Sequence, residues 1–294
     1  MDNIYLEKGF IGDADLSLPL AIQIELTESC NFKCPFCYND SGIRQRNNIC
    51  IERWKDMLFY IKKLGGVFLC VFSGGEPLLY KKELLELMNI LHDDKTGMVL
   101  ITNAYYLDEE FVKKLCKFDW YWIQVSLDSS ISKVHDEIRG VRGSFNKAIE
   151  AIKLLKKHGL PVAISSVICS RNITDIEGIV QMSSDLKVDC VLFSPVLPLG
   201  RMALNTELQL DEKQKGDYDL AIEKVIHKYS KKILVRSAQT YEEQIQNRKL
   251  FPPYGLLIRP NGDVKIDCLS EIIIGNVFDT PIDEIWNKVK KEVR

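Results

Sequence analysis

Three cysteines crowd into eight residues: Cys30, Cys34 and Cys37, in the segment Thr27-Glu28-Ser29-Cys30-Asn31-Phe32-Lys33-Cys34-Pro35-Phe36-Cys37-Tyr38. Thiolates are soft metal ligands, and gaps of three and two residues bring all three onto one loop. A structural zinc site takes four protein ligands, usually in pairs. A three-ligand catalytic zinc site stays open as an alternative, although no His or Asp joins this group. Ferredoxin-type clusters need four cysteines at other spacings. Three suit a four-iron cluster with one iron left open, which binds a small molecule directly. The other six cysteines, Cys50, Cys70, Cys116, Cys169, Cys190 and Cys268, are scattered. Most of them read as small buried hydrophobes.

The triad follows an apolar run at Ala21–Leu26. Similar runs recur at Val67–Phe72, Met98–Thr102, Trp122–Leu127, Pro161–Ile168 and Asp189–Phe193, separated by helical stripes. Trp54, Met57, Leu58, Ile61 and Leu64 form one stripe; Leu84, Leu87, Met88 and Leu91 form another. Asp108, Ser144 and Thr174 read as N-caps of later helices, and Gly159 as a C-terminal stop. Strand–helix alternation implies parallel strands with helical crossovers. Six such units, short of a closed eight, predict an α/β fold: a partial (β/α)6 TIM-like barrel. Its ligands bind at the C-terminal ends of the strands.

Past residue 205 the pattern changes. A polar helix is expected from Asp211 to Tyr229, then a hairpin Leu256–Arg259 / Val264–Asp267 around Asn261-Gly262, then a helix starting near Pro281. The expected division is therefore a core over 1–205 and a small α+β extension over 206–294.

Motifs stand at successive strand ends. Gly74-Gly75-Glu76-Pro77 ends the second, Thr102-Asn103 the third and Val125-Ser126-Leu127-Asp128 the fourth, before His135-Asp136-Glu137-Ile138-Arg139-Gly140. With Cx3Cx2C and an aromatic before the last cysteine, this set resembles the radical S-adenosylmethionine (SAM) superfamily. The likeness covers roughly the first 200 residues. Ala104 stands where that family often has glycine. The resemblance implies one [4Fe-4S] cluster on Cys30, Cys34 and Cys37, with SAM on its open iron. Reduction then cleaves SAM to a 5′-deoxyadenosyl radical that takes a hydrogen atom from substrate. The SAM ammonium is expected at the Gly74 and Gly75 carbonyls and Glu76, and its carboxylate at Arg139 and Ser126. Phe36 is expected near the adenine, and Asn103 near the ribose or substrate. Asp128 is balanced between a structural and a functional reading. His135 reads as a capping or core residue.

Ile258–Cys268, with Ile274-Gly275-Asn276-Val277 and Ile285-Trp286, resembles a SPASM/twitch extension, degenerate because only Cys268 matches its cysteines. One thiolate cannot hold a second four-iron cluster. Leu197-Pro198-Leu199-Gly200-Arg201 resembles an element of relatives that mature peptides or build cofactors; Arg201 reads as facing substrate carboxylates or as plain surface. The resemblance implies a peptide or protein substrate. The alternatives are a cofactor-biosynthesis enzyme acting on a tetrapyrrole or other small molecule, and a non-enzymatic redox sensor. An electron donor such as flavodoxin or ferredoxin is expected. Only 29 residues precede the triad, so a separate peptide-recognition protein is expected as a partner.

Composition narrows the rest. The 294 residues are 46% apolar with a formal net charge of −2, which points to no nucleic-acid or membrane partner. The start Met1–Lys8 lacks the basic and apolar pattern of a signal peptide, and a cytoplasmic setting is expected.

Overall fold

The computed structural model describes residues 16–43, 50–92, 96–238 and 254–293; the Met1–Lys8 segment read for targeting lies outside them. The expected strands form as β1 (Ala21–Glu25), β2 (Leu69–Ser73), β3 (Gly97–Thr102), β4 (Trp120–Ser126), β5 (Val162–Ile168) and β6 (Cys190–Pro195), all parallel. The crossovers carry α1 (Ile51–Lys63), α2 (Lys81–Leu91), α3 (Glu109–Leu115), α4 (Ser132–Arg139), α5 (Ser144–Lys157) and α6 (Ile176–Asp185). Alternation assigns the two faces of the sheet. Ile22, Ile24, Phe72, Leu100, Ile123 and Phe193 pack with Trp54, Leu58, Leu84 and Ile152 of the helices in one core. Each such side chain contributes roughly 1.5–3 kcal/mol on burial, more than any intrinsic helix preference, so packing fixes these elements. Gln23, Val71, Gln124, Ser126, Ser165 and Leu192 take the opposite face, which is half-buried and partly polar. That face is the lumen of the open barrel.

Beyond residue 205 the chain stays in the same sheet. A polar helix, α7 (Glu212–Tyr229), starts with a capping box between Asp211 and Gln214. It leads into β7 (Leu234–Ser237), a strand the sequence reading lacks, which pairs parallel to β6. β8 (Gly255–Ile258) pairs parallel to β1 on the other side; β9 (Asp263–Lys265) and β10 (Gly275–Asn276) follow antiparallel. Among the described residues the sheet has ten strands, in the order β10-β9-β8-β1-β2-β3-β4-β5-β6-β7. The last helix, α8 (Ile282–Val293), ties the extension back through the Trp286 indole N–H, which donates to the Leu16 carbonyl at 3.1 Å.

Two expected caps differ. The residue before α5 is Gly143 in the left-handed region; Ser144 lies inside the first turn, its hydroxyl donating to Asp136 at 2.9 Å. Thr174 lies in a 3-10 turn, Ile173–Asp175, and α6 begins only after Asp175. At α5 the Asp136 carboxylate of α4 takes over the capping, accepting the Phe145 N–H at 2.8 Å, whereas among the described residues no side chain caps the first turn of α6. Asp108 caps α3 as expected, its carboxylate accepting the Phe111 N–H at 2.8 Å. Among the described residues no helix is long and apolar enough to cross a membrane.

Candidate active site at the strand ends

The cysteine loop folds onto the C-terminal ends of β1 and β2. Cys37 N–H donates to the Cys34 carbonyl at 3.2 Å, Asp40 N–H to Cys37 at 3.3 Å, and Gly42 N–H to Glu28 at 3.0 Å. Gly42 is left-handed, and a Cβ there would meet the Phe32 carbonyl at 2.5 Å. Cys34 and Phe36 are buried with Phe32, Ile138, Cys169, Met202 and Leu208, and Cys30 and Cys37 pack against this group. Burial pushes the Cys30 thiol up to about 12 and raises Cys34, which the Arg139 guanidinium partly offsets.

The Gly-Gly turn is built against that loop. Gly75 N–H donates to the Thr27 carbonyl at 2.6 Å and Glu76 N–H to Ser29 at 2.9 Å. A Cβ on Gly75 would lie 2.1 Å from the Ser29 carbonyl, and Gly74 holds φ +128°. Only glycines allow this approach. Among the described residues no hydrogen bond ends on the Gly74 or Gly75 carbonyl, which leaves both as acceptors.

Glu76 is fully buried. Its Oε1 accepts Thr102 Oγ at 2.7 Å and Leu78 N–H at 2.9 Å, and its Oε2 accepts Asn103 N–H at 2.8 Å. Burial raises its carboxyl to about 6. The carboxylate thus pins the ends of β2 and β3 together. Asn103 is set by Glu76 and donates from Nδ2 to Asn31 at 2.9 Å, on the cysteine loop. Ala104 adopts φ +60°, the conformation for which glycine is the natural choice.

Arg139 is buried at the end of α4, its guanidinium 5.1 Å above the Phe36 ring. Its fork is already engaged: Nε donates to Asp128 Oδ2 at 2.5 Å and Nη2 to Oδ1 at 3.0 Å. Asp128 also accepts the Val167 N–H at 2.9 Å, so its carboxylate joins the Arg139 fork to the β5 backbone. Only Nη1 lies outside this fork, and the Cys34 thiol is a further side-chain partner of the guanidinium. His135 takes the Asp128 N–H on Nδ1 at 3.1 Å, and burial depresses its pKa to about 4; it is a neutral core residue. Ser126 ends β4, half-buried on the lumen face beside Ser165 of β5.

Arg201 is turned onto the cysteine loop. Its Nε donates to the Cys34 carbonyl at 2.8 Å and Nη1 to Ser41 at 2.9 Å and Asp40 at 3.1 Å, while its N–H reaches the Cys37 carbonyl at 3.0 Å. Asn205 Nδ2 holds the Pro35 carbonyl at 2.9 Å. A Cβ on the left-handed Gly200 would meet the Cys37 and Tyr38 carbonyls at 2.5 and 2.4 Å. This clamp was illegible in sequence because its partners are backbone atoms about 165 residues away. Cys268 lies near Glu25 and Tyr38, and burial pushes its thiol up to about 11.

Among the described residues the hydroxyls of Ser29 and Ser41, both buried beside the loop, have no hydrogen-bond partner. A buried unpaired hydroxyl costs about 1–3 kcal/mol, so two of them flanking three thiols fit a guest that brings acceptors. The sulfides and thiolates of an iron–sulfur cluster are such acceptors. Among the described residues no three His, Cys, Asp or Glu side chains converge on one point as a single ion requires. A four-iron cluster takes each thiolate at a different iron, so its ligands stand apart. The donor set fits the cluster better than the zinc alternative.

Known proteins resemble this chain in sequence and fold. The Radical SAM superfamily model matches residues 24–182. The chain is 28% identical over 282 residues to the antilisterial bacteriocin subtilosin biosynthesis protein AlbA of Bacillus subtilis, covering 94% of this chain and 61% of AlbA. It is 26% identical to the Fe-coproporphyrin III synthase of Methanosarcina barkeri, over 91% of this chain and 73% of the synthase. Streptococcus suis SuiB bound to its precursor peptide SuiA superposes with a TM-score of 0.74 at 20% identity, covering 96% of this chain and 66% of SuiB, and shares the fold. The chain thus spans about three fifths of AlbA's length. With more than half of its residues inside the family match and the three thiols gathered at the end of β1, the chain belongs to the radical SAM superfamily, whose cofactors are a [4Fe-4S] cluster and SAM.

Proposed function

We propose that this chain is a radical SAM enzyme that modifies a peptide or protein. Cys30, Cys34 and Cys37 would hold the cluster, and Phe36, Gly74, Gly75, Glu76, Asn103, Ser126 and Arg139 would form the SAM pocket. When bound and reduced, the cofactors supply one-electron cleavage of SAM and a radical that abstracts hydrogen. The chain's own residues bind and orient. The Gly74 and Gly75 carbonyls accept from an ammonium, with the buried Glu76 as the nearby anion. Arg139 Nη1 and the Ser126 hydroxyl donate to a carboxylate. The buried aromatic cluster around Phe36 excludes water.

The observation that carries the reading is the docking of the Gly-Gly turn onto the loop of the three thiols, with the Gly74 and Gly75 carbonyls accepting no hydrogen bond among the described residues. The peptide part is supported by AlbA, a bacteriocin biosynthesis protein, and by SuiB, which binds a precursor peptide. A cytoplasmic setting, a flavodoxin or ferredoxin as electron donor, and a separate peptide-recognition protein belong to the same proposal. The Fe-coproporphyrin III synthase favours one second reading, a tetrapyrrole substrate.

The test is anaerobic reconstitution with iron and sulfide, followed by SAM, reductant and candidate peptides, with 5′-deoxyadenosine read by mass spectrometry. Turnover raised by peptide is the expected result. Turnover raised only by a porphyrin precursor would move the assignment to the second reading. Replacing all three cysteines by Ala should bring iron to background; a cluster absorbance that survives the triple substitution would end the proposal.

A further inference from the structure

β7 carries a half-buried arginine, Arg236, that holds no anion among the described residues. Val235 packs into the helix-side core, so Leu234 and Arg236 take the lumen face. Register sets Arg236 beside Leu192, Leu192 beside Ser165, and Ser165 beside Ser126. One rung therefore crosses four strands, from Ser126 at the end of β4 to Arg236. The Cys190 thiol, on the same face of β6, feels the Arg236 charge, which places the guanidinium on the lumen side. Among the described residues no hydrogen bond or ion pair ends on Arg236. Asp189, the acid that also acts on Cys190, is already committed to Lys156 and to the Val162 N–H, each at 2.7 Å. Arg139, Arg201 and Arg259, at the same end of the barrel, each hold a carboxylate.

A partly desolvated guanidinium without an anion is costly, and its fork matches a carboxylate. We propose that Arg236 binds a carboxylate of the substrate peptide, an acidic side chain or the C-terminus, and so fixes which stretch of peptide faces the SAM pocket. This rests on the peptide reading above. Three strand spacings of about 4.8 Å put Arg236 roughly 14 Å from Ser126 along the sheet. After the reach of the arginine side chain, two or three extended residues at about 3.3 Å each span the remainder. The anchored carboxylate therefore lies a few residues from the site of reaction.

The experiment uses the full reconstituted chain with SAM, under anaerobic conditions. It is mixed with a pool of random peptides of about twelve residues, in C-terminal amide and free-acid forms, and retained peptides are sequenced by mass spectrometry. The wild-type chain should enrich Asp or Glu about tenfold in the amide pool, or favour the free acids by that factor, the low end for a charge-assisted pair. R236Q should lose the preference and R236E should turn it toward Lys and Arg. Iron content and circular dichroism check that each variant folds, and R236Q alone decides if R236E does not. Peptides retained without acidic preference, or a preference unchanged in R236Q, would overturn the role of Arg236 and leave the peptide reading intact. Retention of coproporphyrin III and of no peptide would overturn both.

Discussion

His135 packs edge-on to Phe145 and accepts a backbone N–H on Nδ1, so the folded chain keeps the ring neutral. Burial is the cause, and it depresses the pKa from 6.5 to about 4. The unfolded chain therefore takes up a proton near pH 6.5 that the folded chain refuses. This contribution to stability is full above pH 6.5 and is lost as pH falls through about 4, about 3 kcal/mol in all. Glu76 acts with the opposite sign. Its folded value is raised from 4.5 to about 6, so its contribution is present below pH 4.5 and lost as pH rises through 6. Comparing a variant with its parent separates the two. His135→Asn keeps an acceptor and removes the titration, and denaturant melts of the apoprotein between pH 4 and 7 should show a shallower loss toward acid. An unchanged slope would place the titration elsewhere.

At the scale of elements, the strand ends are held by glycines and by one arginine clamp. Arg201→Ala removes donors from the Cys34 and Ser41 carbonyls and the ion pair with Asp40. Each carbonyl left unpaired costs about 1–3 kcal/mol, and the loop that carries the cysteines loosens. The expected outcome is iron lost several-fold faster to a chelator, with α/β secondary structure unchanged by circular dichroism; iron retained at the wild-type rate would show that the clamp is dispensable. Much of this architecture was legible. Apolar runs of strand length marked β1 to β6, Asp108 marked a true cap, and the polar helix expected from Asp211 begins at Glu212. The cysteine spacing and the Gly-Gly turn marked the site. β7 was missed because Ile233-Leu234-Val235 is short and flanked by Lys232 and Arg236, a charged edge pattern that masks a strand. Arg139 was read as a free fork because nothing local shows that Asp128, eleven residues earlier, occupies it. Spacing reveals ligands on one loop, whereas side chains that hold a distant backbone leave no periodic trace.

Across the whole molecule, an ion pair joins the extension to the C-terminal end of β1. Glu25 of β1 is fully buried, and Arg259, just past β8, donates to its Oε2 at 2.6 Å. Arg259 also reaches Asn39 on the cysteine loop and Glu28 at 3.4 Å, and Tyr38 donates to Glu25 at 3.3 Å. The extension, the first strand and the cysteine loop thus meet at one guanidinium. The two partners are unequal. Burial raises the Glu25 pKa, and Arg259 is the largest effect opposing that rise. Arg259→Leu strands a buried carboxylate and should cost about 3–5 kcal/mol at neutral pH. Glu25→Gln should cost less, because the Arg259 side chain is 23% exposed and keeps Glu28. Acid tests the cause. Without Arg259 the Glu25 carboxyl takes up a proton more readily, and its neutral form is tolerated in the interior. The stability gap between Arg259→Leu and the parent should therefore narrow as pH falls from 7.5 to 5, measured by denaturant melts of the apoprotein. A gap of equal size at both pH values would mean that packing by the arginine stem, and not its charge, holds the extension to the barrel.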